Sequence, residues 1–226
     1  MGAKRLRRTY GAAARLRNIA LAGAIGLIAA GQAAAEVTIL AFGDSLTQGY
    51  GLPEADGFVP QLQRWLDANG GGDITLINAG VSGDTTAGGL SRIAWSLDDS
   101  VDGVIVALGG NDVLRGLQPD QIRANLDGIL TEIDSRGLPA IIAGLPAPSN
   151  YGKEYQTAFK AIFPDLAEKH GAIHYRSFLA GLGDGRNMFQ VMRLFQSDGI
   201  HPNAEGVTAI VNDIGPVVLE LAGRAR

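Results

Sequence analysis

The sequence contains no cysteine and only three histidines in 226 residues. Without cysteine, the chain cannot use a thiol nucleophile, form a disulfide or hold a metal through thiolates. The three histidines, His170, His174 and His201, are too few for an imidazole-rich metal centre. These counts argue against a thiolate or imidazole-rich metal centre, and we expect no cofactor.

Acidic residues are absent from the first 35 positions, which form a distinct segment. This segment carries six basic residues, Lys4, Arg5, Arg7, Arg8, Arg15 and Arg17. An apolar run follows over residues 19–30, and Ala33-Ala34-Ala35 supplies small residues before Glu36. This order is typical of a secretory signal peptide that is cleaved after residue 35, although the pattern leaves Sec and twin-arginine export both open. Because the apolar run is too short to span a bilayer comfortably, we expect an exported, periplasmic or secreted protein without stable membrane insertion.

Positive charge is scarce in the remainder of the chain. Six of the 19 basic residues and none of the 23 acidic residues lie in the first 35 positions, so residues 36–226 carry 13 basic against 23 acidic residues, a net charge of −10. This charge argues against nucleic acid and against an anionic membrane surface as partners. A small-molecule substrate and a monomeric state are the expectations that remain.

Apolar segments of strand and helix character alternate along residues 36–226, which we expect to form one domain. The predicted strands are residues 37–42, 74–78, 101–108, 139–143 and 172–175, and the predicted helices are residues 58–68, 87–97, 119–136, 154–169 and 203–221. Residues 178–196 show little periodicity, which predicts an irregular or short-helical segment. Five alternations predict a three-layer α/β/α sandwich around a five-stranded parallel sheet.

Chemically useful residues follow three of the predicted strands. Ser45 follows the first strand, Gly83 the second and Asn111 the third, while Asp198 and His201 precede the last helix. A serine hydroxyl needs a base to become a nucleophile, and an imidazole held by a carboxylate is suited to that task. Backbone N–H groups and a side-chain amide can stabilise the oxyanion that forms when serine attacks a carbonyl. These are the parts that an acyl-transfer site requires.

The same residues occur in four short motifs. They are Gly-Asp-Ser-Leu at 43–46, Ser-Gly-Asp-Thr at 82–85, Gly-Asn-Asp at 110–112 and Asp-Gly-Ile-His at 198–201. Together and in this order they resemble the successive blocks of the GDSL or SGNH hydrolases. Residues 108–119 and 145–155 further resemble the bacterial periplasmic group described as arylesterase, acyl-CoA thioesterase I and lysophospholipase. The resemblance covers essentially all of residues 36–226 and implies a flavodoxin-like sheet.

The resemblance implies a role for each motif residue. Ser45 would be the nucleophile, His201 the general base and then the general acid, and Asp198 the carboxylate that orients His201. The oxyanion donors would be the backbone N–H groups of Ser45 and Gly83 and the side chain of Asn111. The implied reaction is hydrolysis of carboxylic esters and thioesters, such as aryl esters, acyl-CoA and lysophospholipids, through an acyl-serine intermediate.

Two leucines are predicted to bind the acyl chain. Leu114 and Leu117 follow Asn111 closely, so an apolar segment leaves the predicted oxyanion site directly.

The neighbouring residues receive structural predictions. Asp44, Asp84 and Asp112 are expected to hold their loops through backbone N–H groups, His170 to cap a helix, His174 to be structural, and Trp65 and Trp95 to lie in the core.

Two other functions are alternatives. A carbohydrate O-acetylesterase would use the same motifs, and the loops at 112–117 and 145–155 argue for an acyl-chain enzyme instead. A noncatalytic binding module could also be built on a flavodoxin-like sheet. The sequence leaves open the length of the acyl chain, the leaving group and the physiological substrate.

Overall fold

The computed structural model describes residues 36–146, 149–183 and 188–226. The predicted signal peptide at residues 1–35 lies outside these ranges. The described chain contains sixteen elements of secondary structure, which are five strands, eight α-helices and three short 3-10 helices. All five strands belong to one parallel sheet.

Strand β1 (Val37–Gly43) is an interior strand of the sheet, and its nearly continuous apolar sequence suits a strand that is covered on both faces. It pairs with β2 on one side, with Val37 opposite Ile74, and with β3 on the other, with Ile39 opposite Gly103. The remaining strands are β2 (Ile74–Gly80), β3 (Gly103–Ala107), β4 (Ala140–Ala143) and β5 (Ile173–Tyr175). The strand order is β2-β1-β3-β4-β5, the order of flavodoxin-like sheets.

Helices cover both faces of the sheet. They are α1 (Ser45–Gln48), α2 (Phe58–Ala68), α3 (Thr86–Ser96), α4 (Gly110–Leu114), α5 (Pro119–Ser135), α6 (Gly152–His170), α7 (Met188–Met192) and α8 (Ala204–Ala225). Helices α2 and α8 pack together in one layer, and α3, α5 and α6 pack side by side in the other. The three-layer α/β/α sandwich predicted from the sequence is confirmed.

Among the residues that the structure describes, only α8 is long and apolar enough to cross a membrane by length and composition. It packs against α2 and against four of the five strands. Val207, Ile214 and Leu221 are among its buried residues. This apolar face therefore belongs to the hydrophobic core.

The strand order places a crevice between β1 and β3. From β1 the chain continues to β2 on one side of the sheet, and from β3 it continues to β4 on the other side. The loops that follow β1 and β3 therefore leave toward opposite faces of the sheet. Ser45 follows β1 directly, and Asn111 lies just after β3. Two of the predicted site residues therefore flank the position at which open parallel sheets bind their ligands.

All ten predicted strands and helices occur, with ends that differ by at most four residues. The sequence did not predict α1 and α4, because helices of four and five residues are too short to show a periodic pattern. The prediction for Trp95 is wrong: its side chain is 75% exposed on α3. Trp65 is half-buried and packs against Gly215, where any side chain would collide with the indole ring.

Candidate active site

Ser45 is placed by a tight turn at the end of β1. Gly43 leaves no room for a side chain, because a Cβ there would lie 2.1 Å from the Thr47 hydroxyl and 2.8 Å from the Ala107 carbonyl. Asp44 then caps α1, with its carboxylate accepting a hydrogen bond of 3.0 Å from the Leu46 N–H. Ser45 is therefore the first residue of a short helix whose backbone is fixed on both sides.

The side chains of Ser45, His201 and Asp198 form an unbroken chain of hydrogen-bonding contacts. The Nε2 atom of His201 lies 2.9 Å from the Ser45 hydroxyl oxygen, and its Nδ1 atom lies 2.7 Å from the Asp198 carboxylate. Ser45 and His201 are 156 residues apart in sequence. A hydroxyl, an imidazole and a carboxylate in this order can transfer the serine proton to the imidazole as the oxygen attacks a carbonyl.

The loop that carries the imidazole holds Asp198 in its anionic form. One Asp198 oxygen accepts the backbone N–H groups of Ile200 and His201, at 2.9 and 3.0 Å. The bond to the His201 ring, followed by these two backbone bonds, lowers the pKa of Asp198 to about 2. A bridge between Phe195 and Pro202 closes the loop at its base. The carboxylate is thus charged and fixed opposite Nδ1.

Asn111 faces the same site from α4. Its side-chain amide donates a hydrogen bond of 3.3 Å to Asp44, and Asn111 lines the cavity that contains Ser45. Gly83 lies in the loop after β2 with φ at +78°, a conformation that favours glycine. Its carbonyl accepts a 2.8 Å hydrogen bond from Arg115. The structure therefore gives Asn111 a position beside Ser45 and gives Gly83 a fixed turn, although Gly83 does not line the cavity.

Asp44 combines deep burial with a position next to Ser45. Only 2% of the residue is exposed. Burial raises the pKa of Asp44 to about 6, and the Leu46 N–H, the His201 charge and the Asn111 amide oppose this effect. A carboxyl group that changes charge near neutral pH therefore contacts the Asn111 amide directly.

The cavity beside Ser45 has a volume of about 320 Å³ and mainly apolar walls. Asp44, Ser45, Asn111 and His201 form its polar part, and its apolar residues are Leu46, Val113, Leu114, Leu145, Pro146, Leu179, Phe195 and Ile200. A second, apolar groove of about 860 Å³ shares Pro146, Leu179, Phe195 and Gly199 with this cavity and continues to Val191 and Met192. The two hollows therefore lie next to each other and share an apolar wall, with Ser45 in the first of them.

The two leucines predicted to bind substrate differ in position. Leu114 lines the cavity and is 58% exposed, so its role in substrate binding stays a prediction. The prediction for Leu117 is not supported, because its half-buried side chain packs against the core and does not line the cavity. The Tyr155 hydroxyl donates to the Leu117 carbonyl at 2.7 Å, which fixes this turn against α6.

The neighbouring acids have the structural contacts that were predicted. Asp84 accepts from the Thr85 N–H at 3.0 Å, and Asp112 accepts from both the backbone N–H and the hydroxyl of Thr86, at 2.9 and 2.6 Å. Together with the bond from the Leu46 N–H to Asp44, these contacts attach each acid to a backbone N–H in a loop or in the first turn of the helix that follows it. The prediction that the three acids hold their loops is confirmed.

The prediction for His170 is wrong. Gly171 caps α6, whereas the His170 ring contacts Asp127 and Asp134 of α5 at 2.7 and 2.5 Å. The ring therefore connects two helices. His174 lies on β5, as expected for a structural residue. In the described part of the chain, no group of three or more histidines and acids is arranged to hold a metal ion.

Sequence reasoning missed two residues near the site. Arg92 of α3 has a side chain that is only 9% exposed and contacts the ends of β1 and β2. An arginine within the buried stripe of a helix, next to Ile93, was the available signal. Tyr50 places its ring 4.6 Å from the His201 ring, and no pattern in the sequence indicates that contact.

The parallel sheet, the crevice between β1 and β3 and the serine, histidine and aspartate beside it define the class of ester hydrolases that carry a serine nucleophile. The GDSL-like Lipase/Acylhydrolase family matches residues 41–209, three quarters of the chain. The chain therefore belongs to this family and is a carboxylic ester hydrolase. The alternative of a noncatalytic binding module is excluded.

Individual relatives agree with this membership. Esterase TesA of Pseudomonas aeruginosa is 34% identical over 91% of this chain and all of its own length. Thioesterase 1/protease 1/lysophospholipase L1 of Escherichia coli K12 is 35% identical over 77% of this chain and 79% of its own length. The crystal structure of AlinE4, an SGNH-hydrolase family esterase, is 44% identical with a TM-score of 0.66, over 82% of this chain and 96% of its own.

Proposed function

We propose that the protein hydrolyses carboxylic esters and thioesters through an acyl-serine intermediate on Ser45. In the first step, the Ser45 oxygen bonds to the substrate carbonyl carbon, and its proton passes to Nε2 of His201. Asp198 accepts the Nδ1–H of the imidazolium and stabilises its charge. The carbonyl π-bond electrons move to the oxygen, which becomes an oxyanion. The unbroken contacts from Ser45 through His201 to Asp198 are the observation that carries this proposal.

Collapse of the tetrahedral intermediate releases the alcohol or thiol. The bond from the carbon to the leaving group breaks, and His201 returns its proton to that group. A water molecule then attacks the acyl-serine with His201 again as the base, and the fatty acid leaves with Ser45 restored. The backbone N–H groups of Ser45 and Gly83 and the Asn111 amide are the proposed donors to the oxyanion in both halves.

The apolar walls of the cavity and the groove support the proposal that the enzyme recognises the acyl chain of its substrate. Apolar residues surround Ser45, and the groove that passes Leu179 and Phe195 lengthens the apolar surface well beyond an acetyl group. We include aryl esters, acyl-CoA thioesters and lysophospholipids among the substrates. The relatives named esterase and thioesterase 1/protease 1/lysophospholipase L1 support ester, thioester and lysophospholipid hydrolysis. A carbohydrate O-acetylesterase would leave most of this apolar surface unused, so we do not favour that alternative.

The cellular setting belongs to the same proposal. We place the enzyme outside the cytoplasm as a monomer, after removal of residues 1–35. The basic and apolar pattern of these residues supports export. The absence of cysteine means that folding does not depend on the redox state of the compartment.

Ser45→Ala and His201→Ala test the catalytic assignment. Each variant should reduce turnover of a p-nitrophenyl ester by on the order of 10⁴ or more, and the double variant should lose little more, because the two groups act as a unit. His174→Ala is the matched control and should retain wild-type turnover. A fluorophosphonate should label the wild type but not Ser45→Ala. Activity in Ser45→Ala close to that of the wild type would refute the assignment.

A further inference from the structure

Each of the three proposed oxyanion donors has an aspartate beside it in sequence. Asp44 precedes Ser45, Asp84 follows Gly83, and Asp112 follows Asn111. Asp44 and Asp112 are 2% and 0% exposed, and the side chain of Asp84 is 11% exposed. Burying a carboxylate is costly unless it is paired or hydrogen-bonded, so the partners of the three aspartates identify what they connect.

Two of the aspartates connect the loop after β3 to the loops after the other two strands. Asp112 accepts both Thr86 hydrogen bonds, which ties α4 to the first turn of α3, three residues beyond Gly83. Asp44 accepts the Asn111 amide, which ties the start of α1 to α4. Arg115 adds a bond to the Gly83 carbonyl. The first and second loops also meet directly, because the Val81 N–H donates to the Gly43 carbonyl at 3.0 Å and the Ser82 hydroxyl donates to the Gln48 side chain at 2.8 Å.

Arg92 adds a buried connection between these two loops. Its Nε–H donates to the Asp84 carboxylate at 2.7 Å, one terminal nitrogen donates to the Ala79 carbonyl and the other to the Gly43 carbonyl, both at 2.9 Å. Its guanidinium also lies 3.8 Å from the centre of the Phe42 ring. A single planar group therefore holds the end of β1, immediately before Asp44 and Ser45, and the acid that follows Gly83.

The guanidinium is suited to this task and has no simple substitute. Its N–H groups point outward in a rigid plane, so their directions fix the relative positions of the three oxygens they contact. A lysine would offer one mobile nitrogen, and an apolar residue would leave the Asp84 carboxylate buried without its partner. Packing alone would favour an apolar side chain at this position, which lies beside the buried Ile93.

We propose that Arg92 is a positioning residue that sets the distance between the oxyanion-stabilising N–H groups of Ser45 and Gly83. This inference rests on the proposed function. The contacts of Arg92, the bonds from Thr86 to Asp112 and the bond from Asn111 to Asp44 together join the three loops that surround the oxyanion site. The donors are then held in place before the substrate arrives, which is the condition under which hydrogen bonds lower a barrier most. Loss of these contacts should reduce stabilisation of the transition state and leave substrate binding unchanged.

The test compares Arg92→Lys with the wild type on p-nitrophenyl esters from acetyl to dodecanoyl. We expect kcat to fall by about 10- to 100-fold at every chain length, because small misplacements of catalytic groups have effects of that order, with KM changed less than about threefold. Asn111→Ala sets the scale, since removal of one oxyanion donor should lower kcat by about 10²- to 10³-fold. Arg123→Lys on α5, which alters an exposed ion pair with Asp165 of α6, is the control and should keep wild-type kcat and KM.

Inhibitor binding separates positioning from general damage. An alkyl trifluoromethyl ketone adds to Ser45 and places an oxyanion between the donors, whereas the corresponding fatty acid binds without a tetrahedral centre. In Arg92→Lys the ketone should lose affinity by the same factor as kcat, and the fatty acid should bind as it does to the wild type. Equal losses for both ligands, or wild-type kcat in a folded Arg92→Lys protein, would overturn the inference.

Asp84→Asn provides a second variant if Arg92→Lys does not fold, as judged by circular dichroism and urea unfolding. It retains the shape of the side chain and weakens the hold on the loop that carries Gly83, so kcat should fall several-fold with unchanged KM. Unchanged kcat would contradict the inference. If Ser45→Ala retains activity, the proposed function itself fails. If Ser45→Ala is inactive while Arg92→Lys and Asp84→Asn behave as the wild type, only the role of Arg92 fails.

Discussion

Asp44 is the residue at which stability and catalysis oppose each other. Its pKa is raised from 3.8 to about 6 by burial, so the folded protein binds this proton more tightly than the unfolded chain does. Between these two pH values the unfolded state ionises while the folded state stays protonated. The contribution of Asp44 to the free energy of unfolding therefore falls as pH rises through this window and remains low above it.

We predict that Asp44→Asn stabilises the protein at pH 8 and not at pH 3.5. A pKa difference of about two units corresponds to roughly 3 kcal/mol, which is the upper limit of the gain. Urea unfolding at the two pH values measures it, with Asp120→Asn on the exposed face of α5 as the control. The same variant should have a lower kcat, because the carboxylate that contacts the Asn111 amide is lost. A stability gain of equal size at both pH values would contradict this account.

A second prediction concerns Leu114 and Leu117. Leu114 lines the cavity, so Leu114→Ala should lower kcat/KM for medium and long acyl esters and spare acetyl esters. Each methylene that loses its contact costs about 0.8 kcal/mol, or a factor of about four. Leu117→Ala should instead lower the melting temperature and keep the chain-length profile, since this side chain packs against the core. Identical profiles for the two variants would argue that the acyl chain binds away from α4.

At the scale of elements, β2 is an edge strand that a side chain protects. The Gln63 amide of α2 donates to the Ile74 carbonyl at 2.8 Å and accepts from the Leu76 N–H at 2.9 Å. One side-chain amide thus pairs with the edge as the backbone of a neighbouring strand would. Unpaired strand edges are sites of association between copies, and this contact blocks part of the edge.

Gln63→Leu should therefore expose the edge of β2. We expect concentration-dependent association in light scattering and a loss of about 1 kcal/mol or more in the free energy of unfolding, because two backbone groups lose their partner. Gln121→Leu on α5 adds the same apolar surface at an exposed position and serves as the control. If both variants associate to the same extent, added apolar surface is the cause and the amide does not protect the edge.

For the whole molecule, the prediction concerns processing. The exported protein should begin at Glu36 and be recovered in a soluble extracytoplasmic extract, as mass spectrometry of the purified protein can establish. A chain that starts at Glu36 should also fold and be active when it is expressed in the cytoplasm, because no disulfide has to form. An intact N-terminus in the membrane fraction would show instead that residues 1–35 act as an anchor.

Local patterns in the sequence were sufficient for the architecture and for the residues of the proposed site. Apolar strands that end in glycine and polar residues indicate a parallel sheet with its loops at one edge, and that edge necessarily gathers Ser45, Gly83 and Asn111. The spacing of Asp198 and His201 within one loop allows them to meet without help from the rest of the fold. These properties depend on residues that are neighbours in sequence, so they can be read from sequence.

Tertiary structure alone decided which side chains those loops contact. Whether Leu114 or Leu117 faces the cavity depends on the orientation of a five-residue helix, which has too few residues to show a periodic pattern. Trp95 is exposed because no element in the described part of the chain covers that face of α3, and Arg92 is buried because the ends of β1 and β2 present carbonyls to it. The raised pKa of Asp44 likewise depends on burial by surrounding elements. Burial and charge are set by groups far apart along the chain, such as Arg92 and Gly43, which are 49 positions apart, and only folding brings such groups into contact.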